Sequence, residues 1–467
     1  MNKVFASADT AVSDIPDGAT IAIGGFGPVH CWPRDLITAV RRHGCKELTT
    51  VSTSVGDPGT VNTQTLIENG QVKKMMASFT SRVGVKTASE DLILAGKAEG
   101  EVVPQGMLAE RCRAGGAGIP AFYSPTGAST ALAAGKEVRY FNGRRYVLEQ
   151  AICVDFALLR AWRADKAGNV QFRGSTHNFN VSFAKSAKVA IVEVDEIVEV
   201  GEIPPDRVGL PGIFVARVVL GRFPVEKPKS GQRASRREAE SARSYNGKPG
   251  ITRDHIARRA AALLKEGSYV NLGTGIPVNV CNYLEGRDVM LHAENGVLGY
   301  GGAAIGDGID PDVYIVGSQH VTLNPGASFF DSVTSFEMAR GGHLDAVVLG
   351  AYQVDEQANL ANWSTSSPVI PGLGGIGGAM DLVAAGPEVI IVMEHLDSKG
   401  RAKLLRDCTL PLTAPHCVTW VVTDLALLRW NGSRFVLEEV ASGFTVDEVI
   451  ALTEMRLEVA AEVRTLS

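Results

Sequence analysis

Asp17-Gly18-Ala19-Thr20-Ile21-Ala22-Ile23-Gly24-Gly25-Phe26-Gly27 and Glu266-Gly267-Ser268-Tyr269-Val270-Asn271-Leu272-Gly273-Thr274-Gly275 share one pattern: an acidic-Gly turn, a short apolar run and a glycine loop. Further on, Asp155-Phe156-Ala157-Leu158-Leu159-Arg160-Ala161-Trp162 with Asp165 and Asn169 echoes Asp345-Ala346-Val347-Val348-Leu349-Gly350-Ala351-Tyr352 with Asp355 and Asn359. Val189-Ala190-Ile191-Val192-Glu193 then pairs with Val389-Ile390-Ile391-Val392-Met393. Three matches in one order argue for duplication, with 1–225 and 251–467 as two related domains. The apolar runs are continuous rather than alternating, as in strands of a parallel sheet covered by helices on both faces. Residues 34–42 and 253–265 read as helices between them, the second with Thr252 as N-cap and Gly267 past its end. The expected fold class is α/β: two tandem, related open domains with mainly parallel sheets and helices on both faces. Ligands of such sheets bind at the carboxyl ends of the strands, where these glycine loops fall. Two domains facing one another make a cleft.

Between the two domains, residues 226–250 (EKPKSGQRASRREAESARSYNGKPG) hold seven Lys/Arg against three Glu and almost no large apolar side chain. That composition cannot bury enough surface to offset its ordering entropy and reads as a flexible polar linker. The whole chain of 467 residues is 45% hydrophobic and 21% charged, which sets aside collagen-like, disordered and small disulfide-scaffold classes. Its 51 glycines, about 11% against a usual 7% or so, cluster beside apolar runs. A formal net charge of -5 disfavours a nucleic-acid partner. The seven cysteines include no C-x-x-C pair and read as reduced thiols of a cytoplasmic protein. The nine histidines show no HExxH or paired Cys/His spacing, so no metal is expected. Residues 1–20 fit neither a secretory signal nor an Arg-rich transit peptide. Apolar runs such as 389–393 are too short to span a bilayer, so no membrane association is expected either.

Four glycine loops carry the candidate chemistry: Gly24-Gly25-Phe26-Gly27, Gly115-Gly116-Ala117-Gly118, Gly273-Thr274-Gly275 and Gly374-Gly375-Ile376-Gly377-Gly378. Each lets backbone amides approach a ligand without Cβ interference. None fits G-x-x-x-x-G-K-[ST] or a G-x-G-x-x-G opening a helix with an acidic residue about 20 positions on, which argues against a nucleoside triphosphatase. One such loop alone reads as a tight turn, whereas four on a duplicated scaffold point to binding. A second candidate is Glu294 in His292-Ala293-Glu294-Asn295-Gly296, after an expected strand over 288–291. A glutamate before Asn-Gly also suits a turn residue or helix cap, and chemistry alone leaves both readings open.

Leu291-His292-Ala293-Glu294-Asn295-Gly296-Val297-Leu298-Gly299 resembles the active-site glutamate signature of the family I CoA-transferases, the family of the succinyl-CoA:3-ketoacid CoA-transferases. Asn324-Pro325-Gly326-Ala327-Ser328-Phe329-Phe330-Asp331, Arg340-Gly341-Gly342-His343, Leu360-Ala361-Asn362-Trp363 and Gly377-Gly378-Ala379-Met380-Asp381-Leu382-Val383 resemble its second half. Pro104-Gln105-Gly106-Met107-Leu108-Ala109-Glu110-Arg111 and Arg113-Ala114-Gly115-Gly116-Ala117-Gly118-Ile119-Pro120 resemble its first. The resemblance covers nearly the whole chain apart from the linker. It implies the α and β subunits of a two-subunit enzyme fused in one chain, with Glu294 as the nucleophile that carries CoA as a glutamyl thioester in ping-pong fashion. It further implies that Gln105 gives a side-chain amide and Gly377 a backbone N–H to the oxyanion. Gly273, Thr274, Gly275, Asn295, Gly296, Gly299 and Gly378 are expected along CoA, and Gly25, Phe26, His30 and Arg82 along the acid. Implied partners are an acyl-CoA and a small carboxylic acid, with no metal, in a homodimer or a pair of dimers. Without the resemblance, Gln105 reads as a helix-start residue; His292 reads as a packed strand-end residue, since the mechanism needs no base there.

Several positions depart from the family pattern. Pro28-Val29-His30-Cys31-Trp32-Pro33 is bulkier and one residue longer than the usual loop. Phe79-Thr80-Ser81-Arg82-Val83-Gly84-Val85-Lys86 replaces a Tyr-Val-Gly-Glu-Asn stretch. Ala293 stands for the usual serine, and no lysine lies near Gly317-Ser318-Gln319. The acid is therefore open between a 3-oxo acid and a more specialised one, with Arg82, Lys86 or His30 as candidates to hold a distal carboxylate. Other readings are an acyl-CoA hydrolase, which needs the same nucleophile and an admitted water, and a sugar-phosphate isomerase-like or metabolite-sensing protein. Glu294 and Gln105 together speak against the last, which has no use for a shielded nucleophile with an oxyanion donor.

Overall fold

The computed structural model describes residues 2–27, 31–81, 84–223 and 242–466. The first half is built on strands β1 (Thr20–Ile23), β2 (Leu48–Ser54), β3 (Val72–Phe79), β4 (Glu99–Val102), β5 (Val154–Asp165), β6 (Ala187–Val198) and β7 (Arg217–Leu220). They lie in the order β7-β6-β5-β1-β2-β3-β4, all neighbours parallel. Ile21 and Ile23 pack on one face with Leu36, Ile37 and Val40 of the helix Arg34–His43. Ala22 and Ala157 pack on the other with Met107 and Leu108 of the helix Gln105–Gly116. Both faces are thus apolar, which is why the strand sequences do not alternate.

The second half has a ten-stranded sheet: β8 (Ser268–Leu272), β9 (Val289–Ala293), β10 (Val297–Ala303), β11 (Val321–Phe329), β12 (Ala346–Leu349), β13 (Glu388–Val392), β14 (Trp420–Val422), β15 (Ala426–Trp430), β16 (Phe435–Ala441) and β17 (Glu458–Leu466). Its order is β11-β10-β9-β8-β12-β13-β14-β15-β16-β17. The centre, β9-β8-β12-β13-β14, is parallel. Antiparallel strands flank it on both sides. The helix Arg253–Leu263 starts where Thr252 accepts a hydrogen bond from the His255 N–H at 3.2 Å.

The three sequence echoes occupy equivalent places. β6-β5-β1-β2 in one sheet corresponds to β13-β12-β8-β9 in the other. Equivalence extends to single hydrogen bonds. Asp155 accepts from the Thr20 N–H at 2.9 Å, and Asp345 from the Tyr269 N–H at 2.8 Å. Gly24 donates to the Leu158 carbonyl, and Gly273 to that of Val348, both at 2.8 Å. Asp165 closes a turn by accepting from the N–H groups of Ala167 and Asn169 and from the Asn169 side chain; Asp355 does the same with Gln357 and Asn359. Such Asx turns are local chemistry that the sequence carries on its own.

The halves are joined by more than the chain between them. One apolar cluster contains Met107, Phe179 and Phe183 from the first and Tyr314, Val333 and Phe336 from the second. Ser175 donates to the Tyr314 carbonyl at 2.8 Å, and the Ser332 N–H to the Asn178 carbonyl at 3.0 Å.

The polar segment expected over 226–250 requires a correction at its end. Residues 226–241 lie outside the described residues, but Ser244–Tyr245 and Lys248–Pro249 form an antiparallel hairpin folded onto the second half. Tyr245 is buried among Leu425 and Val440, and its hydroxyl donates to Asp424 at 2.6 Å. Composition missed this because one aromatic anchor outweighs its polar neighbours. Tyr245→Phe leaves that Asp424 oxygen without its donor, and a loss of about 1–3 kcal/mol in urea unfolding is expected.

Candidate active site

The carboxyl ends of β1, β2 and β3 face those of β8, β9 and β12 across a cleft of about 1080 Å³. Phe26, Ser54 and Phe79 line it from the first half; Thr274, Glu294 and Trp363 line it from the second.

Glu294 sits in the turn that reverses the second sheet. The Gly296 N–H donates to the Ala293 carbonyl at 3.0 Å, so Ala293-Glu294-Asn295-Gly296 links β9 to antiparallel β10. Glu294 is a turn residue, and it lines the cleft. Gly296 has φ +96, and a Cβ there would lie 1.8 Å from the Phe330 carbonyl oxygen, so only glycine closes this turn. A buried relay fixes the strand end before it. Asn271 Nδ2 donates to His292 Nδ1 at 3.0 Å, His292 Nε2 donates to Ser335 Oγ at 2.9 Å, and Ser335 donates to the Ala293 carbonyl at 3.2 Å. Burial pushes His292 down to about 4, so it stays neutral and serves in packing.

The Glu294 carboxylate is 7% exposed and pairs with no cation among the described residues. Burial first, and the Asp381 charge second, push it up to about 8. Asp381 is itself raised to about 6 by burial, but it accepts from the Gly106 N–H at 2.9 Å and Thr126 Oγ1 at 3.0 Å, with the Arg340 guanidinium at 3.4 Å. With these donors Asp381 ionises first, and Glu294, without them, ionises last. A Cβ on Gly378 would lie 2.7 Å from Glu294 Oε1, so the bare backbone of Gly378 forms the wall against this carboxyl group.

Gln105 opens its helix, as a residue-by-residue reading expects, and still projects into the cleft; its side-chain oxygen is buried without a hydrogen-bond partner. Its N–H donates to the Gly377 carbonyl at 2.9 Å, bringing the two halves together beside Glu294. Gly273, Thr274, Gly377, Gly378 and Phe26 also line the cleft.

Other expected site residues do not. Asn295 is fully buried and donates to the Tyr314 carbonyl at 2.7 Å, joining loops rather than facing a ligand. Gly296 and Gly299 are spent on the turn and on passage beside Ala327. Gly275 is absent from the lining, and Gly25 lies against the Trp32 ring. His30 and Arg82 lie outside the described residues. Lys86 is at the rim, paired with Asp91 at 3.4 Å. Sequence reasoning gave no role to Asp381 or Ser335; the one signal for Asp381 was a carboxylate inside the apolar Ala379-Met380-Asp381-Leu382-Val383 run. The seven cysteines form no disulfide. Among the described residues no group of three His, Cys, Asp or Glu could hold a metal ion, and no helix is long and apolar enough to cross a membrane.

An acid with a raised pKa binds more protons folded than unfolded, so its contribution to stability falls as pH rises from about 4.5 towards 8. Glu294→Gln removes that loss. The variant is expected to gain melting temperature over the parent as pH rises from 5 to 8, each unit of pKa difference being worth about 1.4 kcal/mol. A gap independent of pH would contradict the raised pKa.

Coenzyme A transferase is the family whose model matches residues 5–221 and 253–452. Succinyl-CoA:3-ketoacid coenzyme A transferase 2A of Mus musculus is 41% identical over 470 residues, covering 95% of this chain and 87% of its own. Two relatives each match about one half. Acetate CoA-transferase subunit beta of Escherichia coli K12 is 49% identical, covering 46% of this chain and 96% of its own length. One subunit of a probable succinyl-CoA:3-ketoacid coenzyme A transferase of Bacillus subtilis is 48% identical, covering 47% of this chain and 91% of its own length. Among solved structures, an acyl-CoA transferase (YdiF) of Escherichia coli O157:H7 in a thioester complex with CoA aligns over 100% of this chain and 95% of its own. Its TM-score is 0.80 at 20% identity.

Proposed function

We propose that this chain, which belongs to the coenzyme A transferase family and moves CoA from an acyl-CoA to a carboxylic acid, uses Glu294 as the covalent carrier and a 3-oxo acid as acceptor. The observation that carries this reading is a carboxylate in the cleft between the halves, nearly dry, uncompensated by a described cation and walled by bare backbone.

Transfer without hydrolysis has to preserve the free energy of the thioester. Ionised Glu294 attacks the thioester carbonyl, the C–S bond breaks, and an acyl-glutamyl anhydride forms with release of the thiolate. The thiolate then attacks the glutamyl carbonyl and expels the first acid as its carboxylate, leaving CoA on Glu294. The second acid runs the two steps in reverse. Each addition places negative charge on an oxygen beside Glu294, where two groups have unused capacity. These are the Gln105 side-chain NH2, in the cleft, and the Gly377 N–H, which makes no hydrogen bond among the described residues. One such donor is worth about 2.7–4 kcal/mol in the barrier. A basic carboxylate also suits this role, because once ionised Glu294 is a stronger nucleophile than an ordinary glutamate, and burial keeps water from the anhydride.

A 3-oxo acid as acceptor is supported by the named activity of the mouse relative, matched over nearly the whole chain. The same reading takes the active form as a homodimer, to be weighed by sedimentation, and its location as cytoplasmic, against the mitochondrial designation of the mouse relative.

Incubation with an acyl-CoA and no acceptor is expected to add the mass of a CoA adduct to the intact protein, and Glu294→Ala to abolish it. A full adduct on the alanine variant would remove Glu294 from the mechanism. Gln105→Ala should lower kcat by roughly 10²–10³ with KM for acyl-CoA little changed. For the acceptor, acetoacetate should exceed butyrate in kcat/KM, and the reverse order would exclude the 3-oxo reading. CoA release that proceeds without added acid would indicate a hydrolase.

A further inference from the structure

Asp381 is fully buried at the seam between the halves, and the mechanism above gives it no step. It belongs to the short helix Ala379–Leu382, which starts directly after Gly377 and Gly378 of the cleft wall, the second of them against Glu294. Its own N–H donates to the Gly378 carbonyl at 3.0 Å, while its carboxylate accepts from the Gly106 N–H at 2.9 Å. Gln105, immediately before Gly106, donates to the Gly377 carbonyl at 2.9 Å. These bonds close a ring: Gln105-Gly106 of the first half is clasped to Gly377-Gly378 and Asp381 of the second. Thr126 of the first half donates to the other carboxylate oxygen at 3.0 Å. Gly106 is fitted to this clasp, since a Cβ there would lie 2.4 Å from Asp381 Oδ1 and 2.7 Å from an Arg340 nitrogen.

We propose that Asp381 is the positioning residue of the transfer reaction, fixing the Gln105 amide and the Gly377-Gly378 backbone relative to the Glu294 carboxyl group. The inference rests on Glu294 being the carrier. A clasp made through one carboxylate sets the distance between donor groups that come from different halves, which packing of either half alone does not set. Misplacement of such groups by about 1 Å costs roughly 100-fold in rate.

The same carboxylate acts on Glu294 through its charge. The charged and titratable groups around the pair are few. Arg340, on the helix Ser332–Arg340, faces Asp381 at 3.4 Å and is shared with Glu110 of the helix Gln105–Gly116 at 3.3 Å. Glu110 in turn holds Arg113 at 2.7 Å, and Glu337 acts on Arg113 from one turn before Arg340. On the Glu294 side stand neutral His292 of β9 and the Tyr300 phenol of β10, buried and un-ionised. Asp381 is therefore the anion that opposes Glu294 ionisation.

Two variants separate geometry from charge. Asp381→Asn keeps an acceptor for the Gly106 N–H and removes the charge; Gly106→Ala keeps the charge and displaces the carboxylate. Glu294 ionisation is read by carboxyl 13C NMR, its signal assigned by loss in Glu294→Gln, and turnover is read as kcat and KM separately. In Asp381→Asn the Glu294 midpoint should fall by about one unit and the acid limb of kcat should follow it. In Gly106→Ala, kcat should fall by roughly 100-fold with KM for acyl-CoA little changed, while the midpoint stays above that of an ordinary glutamate because the Asp381 charge and the burial remain. An unchanged kcat in Gly106→Ala overturns the positioning role, whatever the midpoint does in Asp381→Asn, and an unchanged midpoint in Asp381→Asn overturns the charge coupling. If Asp381→Asn does not fold, Gly106→Ala decides alone, an unchanged kcat overturning the positioning role. If the parent protein forms no CoA adduct while the NMR midpoint still moves, the carrier role of Glu294 falls and the coupling of Asp381 to that carboxyl group stands.

Discussion

A carboxyl group that must sit out of water and still ionise on demand is the constraint from which the rest of this molecule follows. Placing Glu294 on either sheet alone would leave one side of it wet. Here it is enclosed because two sheets present their carboxyl ends to each other, and because neither wall supplies a described cation to neutralise it in advance. A neighbouring lysine or arginine would stabilise the anion and weaken it as a nucleophile. Burial near Asp381 does the opposite and keeps its proton affinity high.

Strain and packing around the carboxyl group serve that enclosure. The reversal from β9 to β10 happens at Glu294 itself, so the strand ladder ends at the proposed carrier. Gly296 admits the Phe330 carbonyl where a side chain would stand, and the Asn271-His292-Ser335 relay holds the strand end from behind. Histidine suits that relay because its neutral ring accepts from one neighbour and donates to the next. Its burial is tolerated since both ring nitrogens are bonded.

The duplicated α/β frame was legible in the sequence because its signals are local: acidic-Gly turns, uninterrupted apolar runs and Asp-to-Asn turns need only near neighbours. Glu294, Gln105 and the Gly377-Gly378 pair were legible through motif resemblance, and the cleft brings them together. Gly296 and Gly299 read as ligand contacts in one dimension because a glycine that admits a ligand and a glycine that admits another backbone look alike there, and Asn295 because its amide partner, the Tyr314 carbonyl, comes from another loop. Asp381 was invisible as a working part for the reverse reason. Its partners, Gly106 and Thr126, are 275 and 255 positions away, and only the folded seam shows what its charge faces.

The duplication also explains why one carboxylate suffices. In the shared topology β2 is the counterpart of β9, and the strand registers place Thr53 of the first half at the cleft where Glu294 stands in the second, with Ser54 following it. The two equivalent strand ends are thus opposed, one carrying hydroxyls and the other a carboxyl group. Thr53 is spent on the Gly25 carbonyl at 3.0 Å and Ser54 accepts from the Gly56 N–H at 3.0 Å, so the hydroxyl wall is self-satisfied and uncharged. A second carboxylate there would face Glu294 across a dry space, and like charges would push both proton affinities beyond the working range. Divergence of the halves therefore reads as a division of labour imposed by electrostatics. One half keeps the buried carboxyl group, the other sets hydroxyls and the Gln105 amide in the same cleft, and the pairing of the two is fixed by their sharing one chain.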